Sequence, residues 1–157
     1  MKAILIVGTS HEQYQIRPQC GPQDGADAFK QHVEQTLKTH TVQSIAEEMS
    51  IEGLRGRCTV CDEIAKERKL PHILCDPTRL ERYDLGITEG NSPSDDEKRE
   101  KEWLRRIVQS CRYPVLFVCG ANHVCSFAQL CQNEGLVPTI VTYDFEAPKI
   151  PIDRRIL

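Results

Sequence analysis

Val115-Leu116-Phe117-Val118-Cys119-Gly120-Ala121-Asn122-His123 is an apolar run that ends on a glycine and then presents a histidine. The N-terminal residues Ile4-Leu5-Ile6-Val7-Gly8-Thr9-Ser10-His11 repeat the plan, so the chain twice runs a buried strand into G-x-x-H. Five apolar residues bounded by a turn signal suit a strand covered on both faces, as in parallel sheets. The glycine permits a sharp exit, and each histidine then stands at or just beyond a C-terminal strand end.

Outward from these two stretches the chain alternates strand and helix. Lys2 to Val7 reads as a first, central strand, followed by an exit loop carrying His11, Glu12, Tyr14 and Gln15. Phe29, Val33 and Leu37 recur every four residues along a first helix. Val42 to Ala46 reads as a short second strand that ends on Glu47-Glu48-Met49, and Val60, Cys61, Ile64 and Ala65 give the inward stripe of a second helix. His72 to Cys75 is a third strand closed by Asp76-Pro77, and residues 78 to 91 read as an ordered but irregular surface segment. Ser94 with Glu97 resembles a capping box opening the helix that buries Trp103, Leu104, Ile107, Val108 and Cys111. The charged run from Asp95 to Glu102 reads as the solvated first half of that helix. A helix from about Cys125 to Asn133 and a fifth strand, Val137 to Tyr143, complete the series. Pro138 cannot donate to a ladder, which suits an edge.

Spacings near 30 residues are those of βαβ units with right-handed crossovers. The expectation is one α/β domain over residues 1–157, a Rossmann-like three-layer sandwich with a five-stranded, mostly parallel sheet in the order 3-2-1-4-5, and residues 144–157 as an extended C-terminal tail. A chain of 157 residues can bury a genuine core in one domain. Its formal net charge of −3 and pI near 6.0 speak against a general affinity for phosphate backbones, so no nucleic-acid partner is expected. No signal-like start and no long apolar run is present, which predicts a cytoplasmic protein with no membrane partner. Most of the eight cysteines lie in or beside apolar segments, where they read as small hydrophobes. Cys58 and Cys61 alone have metal or redox spacing, and without a second pair the structural reading is favoured.

In a doubly wound sheet the crevice opens where the winding reverses, outside the C-terminal strand ends. His11 and His123 would flank it, with Glu47 or Glu48 arriving from the second strand. Strands roughly 4.8 Å apart bring such side chains within reach of one ion. Two imidazoles and one carboxylate form a common ligand set for a catalytic divalent metal, which lowers the pKa of bound water to about 7. Only one of Glu47 and Glu48 can face the site in an extended segment. Each histidine taken alone also fits a simple turn hydrogen bond, and His32, His40 and His72 read as structural or solvated. Arg79 and Arg82 suit an anionic substrate group or plain surface cover, and Asp76 a turn or a substrate contact.

Gly8-Thr9-Ser10-His11, the glutamate in Ala46-Glu47-Glu48-Met49 and Gly120-Ala121-Asn122-His123 together resemble the TIKI/TraB and erythromycin-esterase-like superfamily, marked by two G-x-x-H motifs and an intervening glutamate. The resemblance implies a divalent-metal-dependent hydrolase in a minimal, single-domain version, with proteases and esterases among its relatives. It implies His11, His123 and Glu48 as ligands, since Met49 matches the apolar residue that follows the family's glutamate. The ion is left open among Mn, Zn and Co. Glu12 or Glu47 is then available as catalytic base, and Asp76, Arg79, Arg82 and Asn122 are the candidate substrate contacts. The substrate would be a small molecule or a peptide, with a homodimer as a further possibility. The alternative is a non-catalytic Rossmann-like module that binds a small anion or nucleotide in the same crevice, although the chain has no complete G-x-G-x-x-G and no phosphate-loop lysine motif.

Overall fold

A computed structural model describes residues 1–88 and 92–149. Five strands, β1 (Ala3–Thr9), β2 (Ser44–Glu47), β3 (His72–Leu74), β4 (Val115–Gly120) and β5 (Val137–Thr142), form one sheet in which every pairing is parallel. Among the described residues six α-helices surround it: α1 (Asp24–Thr39), α2 (Ile51–Leu54), α3 (Val60–Arg68), α4 (Arg79–Asp84), α5 (Pro93–Ser110) and α6 (Val124–Asn133). Pleat alternation sorts the core into two layers. Leu5, Val7, Ile45, Leu116 and Val118 pack under Phe29, Val33, Val60 and Ile64 of α1 and α3. Ile4, Ile6, Ala46, Phe117 and Cys119 pack under Trp103, Ile107 and Phe127 of α5 and α6. The molecule is therefore a Rossmann-like α/β sandwich.

The strand order is β3-β2-β4-β1-β5, which corrects the expected 3-2-1-4-5. β4 lies between β1 and β2, with Ile4 opposite Val115 on one side and Ser44 opposite Val115 on the other. β1 and β4 are equally continuous apolar runs, so hydropathy cannot say which takes the centre. The exchange keeps the three strand ends that matter adjacent. β5 is an edge strand, as Pro138 suggested.

Two further expectations change. Residues 79–84 form α4 rather than an irregular segment, because Thr78 and Glu81 make a reciprocal capping box: Glu81 N donates to Thr78 Oγ1 and Thr78 N to Glu81 Oε2. Helix α5 is capped by Ser92, whose hydroxyl accepts from Asp95 N, with Pro93 in the first turn, so the Ser94–Glu97 cap is not used. Nor is the charged run simply solvated, since Asp95, Glu100 and Glu102 are buried. After β5 the chain folds back, with Phe145 N donating to Gly8 O and the Phe145 ring against Tyr14. The remainder of the expected tail, residues 150–157, and residues 89–91 lie outside the described residues.

Candidate functional site

Beyond β1 the chain makes a π-helical turn, His11–Gln15, in which Ile16 N reaches back to His11 O. Such turns are rare and recur at functional sites. Beyond β4, a 3-10 turn, Ala121–His123, leads into α6. Glu48 continues the β2 ladder by donating its N–H to Val118 O, and its side chain falls on the Ala46 side of the sheet.

His11, Glu48 and His123 meet at these strand ends. His11 Nε2 is 3.4 Å from Glu48 Oε2, and His123 Nε2 is 3.6 Å from Glu48 Oε1. Gly120 N donates to Glu48 Oε2 at 2.7 Å, and Arg99 Nη2 to Oε1 at 2.8 Å. Gly120 is what permits the approach. A Cβ there would lie 3.3 Å from both Glu48 Oε2 and His11 Nε2, tighter than ordinary contacts. Both rings are held from behind: His11 Nδ1 is 2.5 Å from Gln15 Oε1, and His123 Nδ1 is 2.9 Å from Glu100 Oε1. The His123 ring also stands edge-on to Trp103, centroids 5.0 Å apart.

The cleft above this cluster measures about 460 Å³ and is lined also by Thr9, Ser10, Asn122 and Asp144. Thr9 Oγ1 is buried there without a hydrogen-bond partner among the described residues. Burial pushes the His11 pKa down, but the hydrogen bond and charge of Glu48 outweigh it and the net shift is upward. In His123 burial is likewise overcome, by the bond to Glu100 and the charge of Glu48. Burial would raise the Glu48 pKa, yet His11, His123 and Arg99 hold it below the ordinary value.

The other sequence candidates separate. Asn122 lines the cleft. Glu12 is exposed and bound to Arg57 through both its oxygens, so it does not line the cleft. Glu47 is fully buried on the α3 side of the sheet, accepting from Gln15 Nε2, Thr59 Oγ1 and His72 Nε2. Asp76 is buried and points inward, where its carboxylate takes Arg99 Nε, Trp103 Nε1 and Arg82. Arg79 and Arg82 line a separate, larger cleft of about 840 Å³ together with Arg55 and Arg57. Arg99, Glu100 and Gln15, which sequence reasoning passed over, hold the cluster in place. A signal for two of them existed: Arg99 and Glu100 stand four and three residues before Trp103, on the same inward face of α5.

As they stand, the side chains close on one another. Among the described residues no group of three or more His, Cys, Asp or Glu is arranged to hold a metal ion. No described helix is long and apolar enough to cross a membrane. No family model, no curated protein and no solved structure matches the chain.

Proposed function

We propose that this cleft takes up a divalent cation between His11, His123 and Glu48 and serves a metal-dependent hydrolysis. The observation that carries the reading is the pairing of the two imidazoles: each has its Nδ1 engaged by an internal acceptor and its Nε2 turned on the same buried carboxylate. Imidazole ligands of metal ions are typically held in this way through the other ring nitrogen. The donor chemistry fits a cation such as Mn, Zn or Co. The closed geometry means that binding must part the two histidines from Glu48 and needs both Nε2 atoms deprotonated. The resemblance of the two G-x-x-H segments to the TIKI/TraB and erythromycin-esterase-like superfamily supports the same reading.

When bound, the cation supplies Lewis acidity and a water acidified to a pKa of about 7. The chain's own groups do the rest. Arg99 and Gly120 N orient Glu48, Asn122 offers polar contacts to a substrate, and Asp144 at the cleft is the carboxylate available as base, since Glu12 and Glu47 are engaged elsewhere. The substrate would be a small molecule or a peptide; Arg79 and Arg82, which line the separate cleft, are no part of this site. Titration calorimetry with Mn, Zn and Co salts tests the proposal: one ion per chain should bind, and His11→Ala, His123→Ala and Glu48→Gln should each abolish binding while the circular-dichroism spectrum is kept. A wild-type protein that binds none of the three overturns it.

A second reading is a non-catalytic module in which the two rings, when protonated, hold a small anion against the opposing charge of Glu48. Phosphate binding by the metal-free protein, lost in the same histidine variants, would select it.

A further inference from the structure

On the far side of the sheet from the cleft, a chain of hydrogen bonds starts at a carboxylate that does not line the cleft. Glu47 is wholly buried, and its Oε2 accepts from Thr59 Oγ1 at 2.6 Å and His72 Nε2 at 2.8 Å. Its Oε1 accepts from Gln15 Nε2 at 2.9 Å. A carboxylate is an acceptor only, so the amide of Gln15, itself fully buried, must present its NH2 group to Glu47. The carbonyl end of that amide then faces His11 Nδ1 at 2.5 Å. A carbonyl oxygen cannot donate, so Nδ1 must carry the proton. In a neutral ring that leaves the lone pair on Nε2, the atom facing Glu48.

We propose that Glu47, acting through Gln15, is a positioning residue that fixes the tautomer of His11 and so makes its Nε2 a ligand atom. The inference rests on the proposed cation site for its purpose, but its content, the protonation pattern of one ring, is read without any metal. The π-helical turn is the device that makes it work, because it sets His11 and Gln15 side by side. His123 has its own lock, Glu100, which also takes the Ser126 hydroxyl at 2.6 Å. The Nδ1 atoms of the two rings are therefore held by separate partners, although both rings face Glu48.

Burial makes the bookkeeping strict. Glu47 and Gln15 are both fully buried, where an unpaired polar group is costly, so reversing one amide favours reversing the next group along. In Glu47→Gln, the arrangement that keeps the Thr59 and His72 donations turns the carbonyl of the new side chain toward them. The other end becomes an NH2 facing Gln15. Gln15 then turns its own carbonyl toward it and its NH2 toward His11 Nδ1, which must now be the lone-pair atom.

Long-range proton–nitrogen NMR of the metal-free protein, at a pH where both rings are neutral, reads this directly. The wild type should show both His11 and His123 protonated at Nδ1. In Glu47→Gln the His11 pattern should invert to Nε2–H while His123 stays unchanged, and cation affinity should fall by about 10- to 100-fold. Gln15→Met removes the relay but leaves the Thr59 and His72 bonds to Glu47, and should give His11 a mixture of tautomers even if Glu47→Gln does not fold. A His11 ring that keeps Nδ1–H in either variant, or a change shared equally by His123, overturns the proposal. If the tautomer inverts yet the wild type binds no cation, the relay stands and the cation site falls.

Discussion

Arg99 Nη2 donates to Glu48 Oε1 at 2.8 Å, so the carboxylate at the centre of the cleft is anchored from α5, a helix that belongs to neither G-x-x-H segment. The same guanidinium donates through Nε to Asp76 and lies over the Trp103 ring, 5.1 Å from its centroid.

Arg99→Met keeps much of the side chain's volume and removes its charge. Glu48 and Asp76 are 5% and 7% exposed, and the loss of their shared cation strands both, although Arg82 still reaches Asp76. Breaking a buried pair by removing one partner typically costs about 3 to 5 kcal/mol. Urea denaturation should show a loss of that size; a loss under about 1 kcal/mol, the range of exposed pairs, would mean that water already compensates these carboxylates.

The two motif glycines should respond differently to alanine. At Gly8 a Cβ would lie 2.0 Å from Tyr143 O, a backbone atom that can yield only if the returning chain is displaced. At Gly120 it would press on the Glu48 and His11 side chains at 3.3 Å, and the backbone there, φ −60° and ψ 141°, accepts any residue. Gly8→Ala is expected to lower the thermal midpoint substantially. Gly120→Ala should fold nearly as well as the wild type while weakening whatever binds in the cleft, and melting curves beside a cation titration compare the two.

The histidines make stability and cation uptake run in opposite directions with pH. Their folded pKa values are raised above 6.5, so the contribution of the His–Glu48 pairs to the metal-free fold is complete below that value. It is lost as pH rises through the folded values. A cation must displace the same protons, so its affinity should climb over that window and level off once both rings are neutral. Thermal melts of metal-free protein and cation titrations across the neutral range check both slopes; affinity that falls with rising pH contradicts the ligand assignment.

Cys58 and Cys61 should behave as unrelated thiols. Cys58 is exposed, whereas Cys61 is buried and its pKa is driven well up by burial, with the Glu47 carboxylate adding to the effect. Iodoacetamide should label Cys58 in the native protein and reach Cys61 only after unfolding, as peptide mass measurement will show.

Strand positions and both helix layers were legible because apolar runs and fourfold spacing report burial directly. The expectation that only one of Glu47 and Glu48 faces the cleft also held: Glu48 lines it, and Glu47 is buried beside Thr59 on the other side of the sheet. The order of β1 and β4 was not legible, since two equally apolar strands carry no label for their neighbours. Arg99 and Glu100 were hidden by composition. A run of charges reads as solvated on average, yet the stripe of Trp103 and Ile107 continues backward through them, and burial follows the stripe. Gln15 gave no signal of its own, because the stretch after β1 reads as a loop, and only the helical turn that forms there sets it beside His11.

Glu47 and Glu48 are consecutive residues that send one carboxylate to each side of the sheet. The two polar systems they anchor are thereby linked through a single peptide unit, although the sheet itself stands between them. Variation in the buried layer at Thr59, His72 or Gln15 is then not neutral background for the cleft. Its effects should be epistatic with substitutions at His11, and double-mutant cycles pairing Thr59 or His72 with His11 should give coupling where positions without shared partners would simply add.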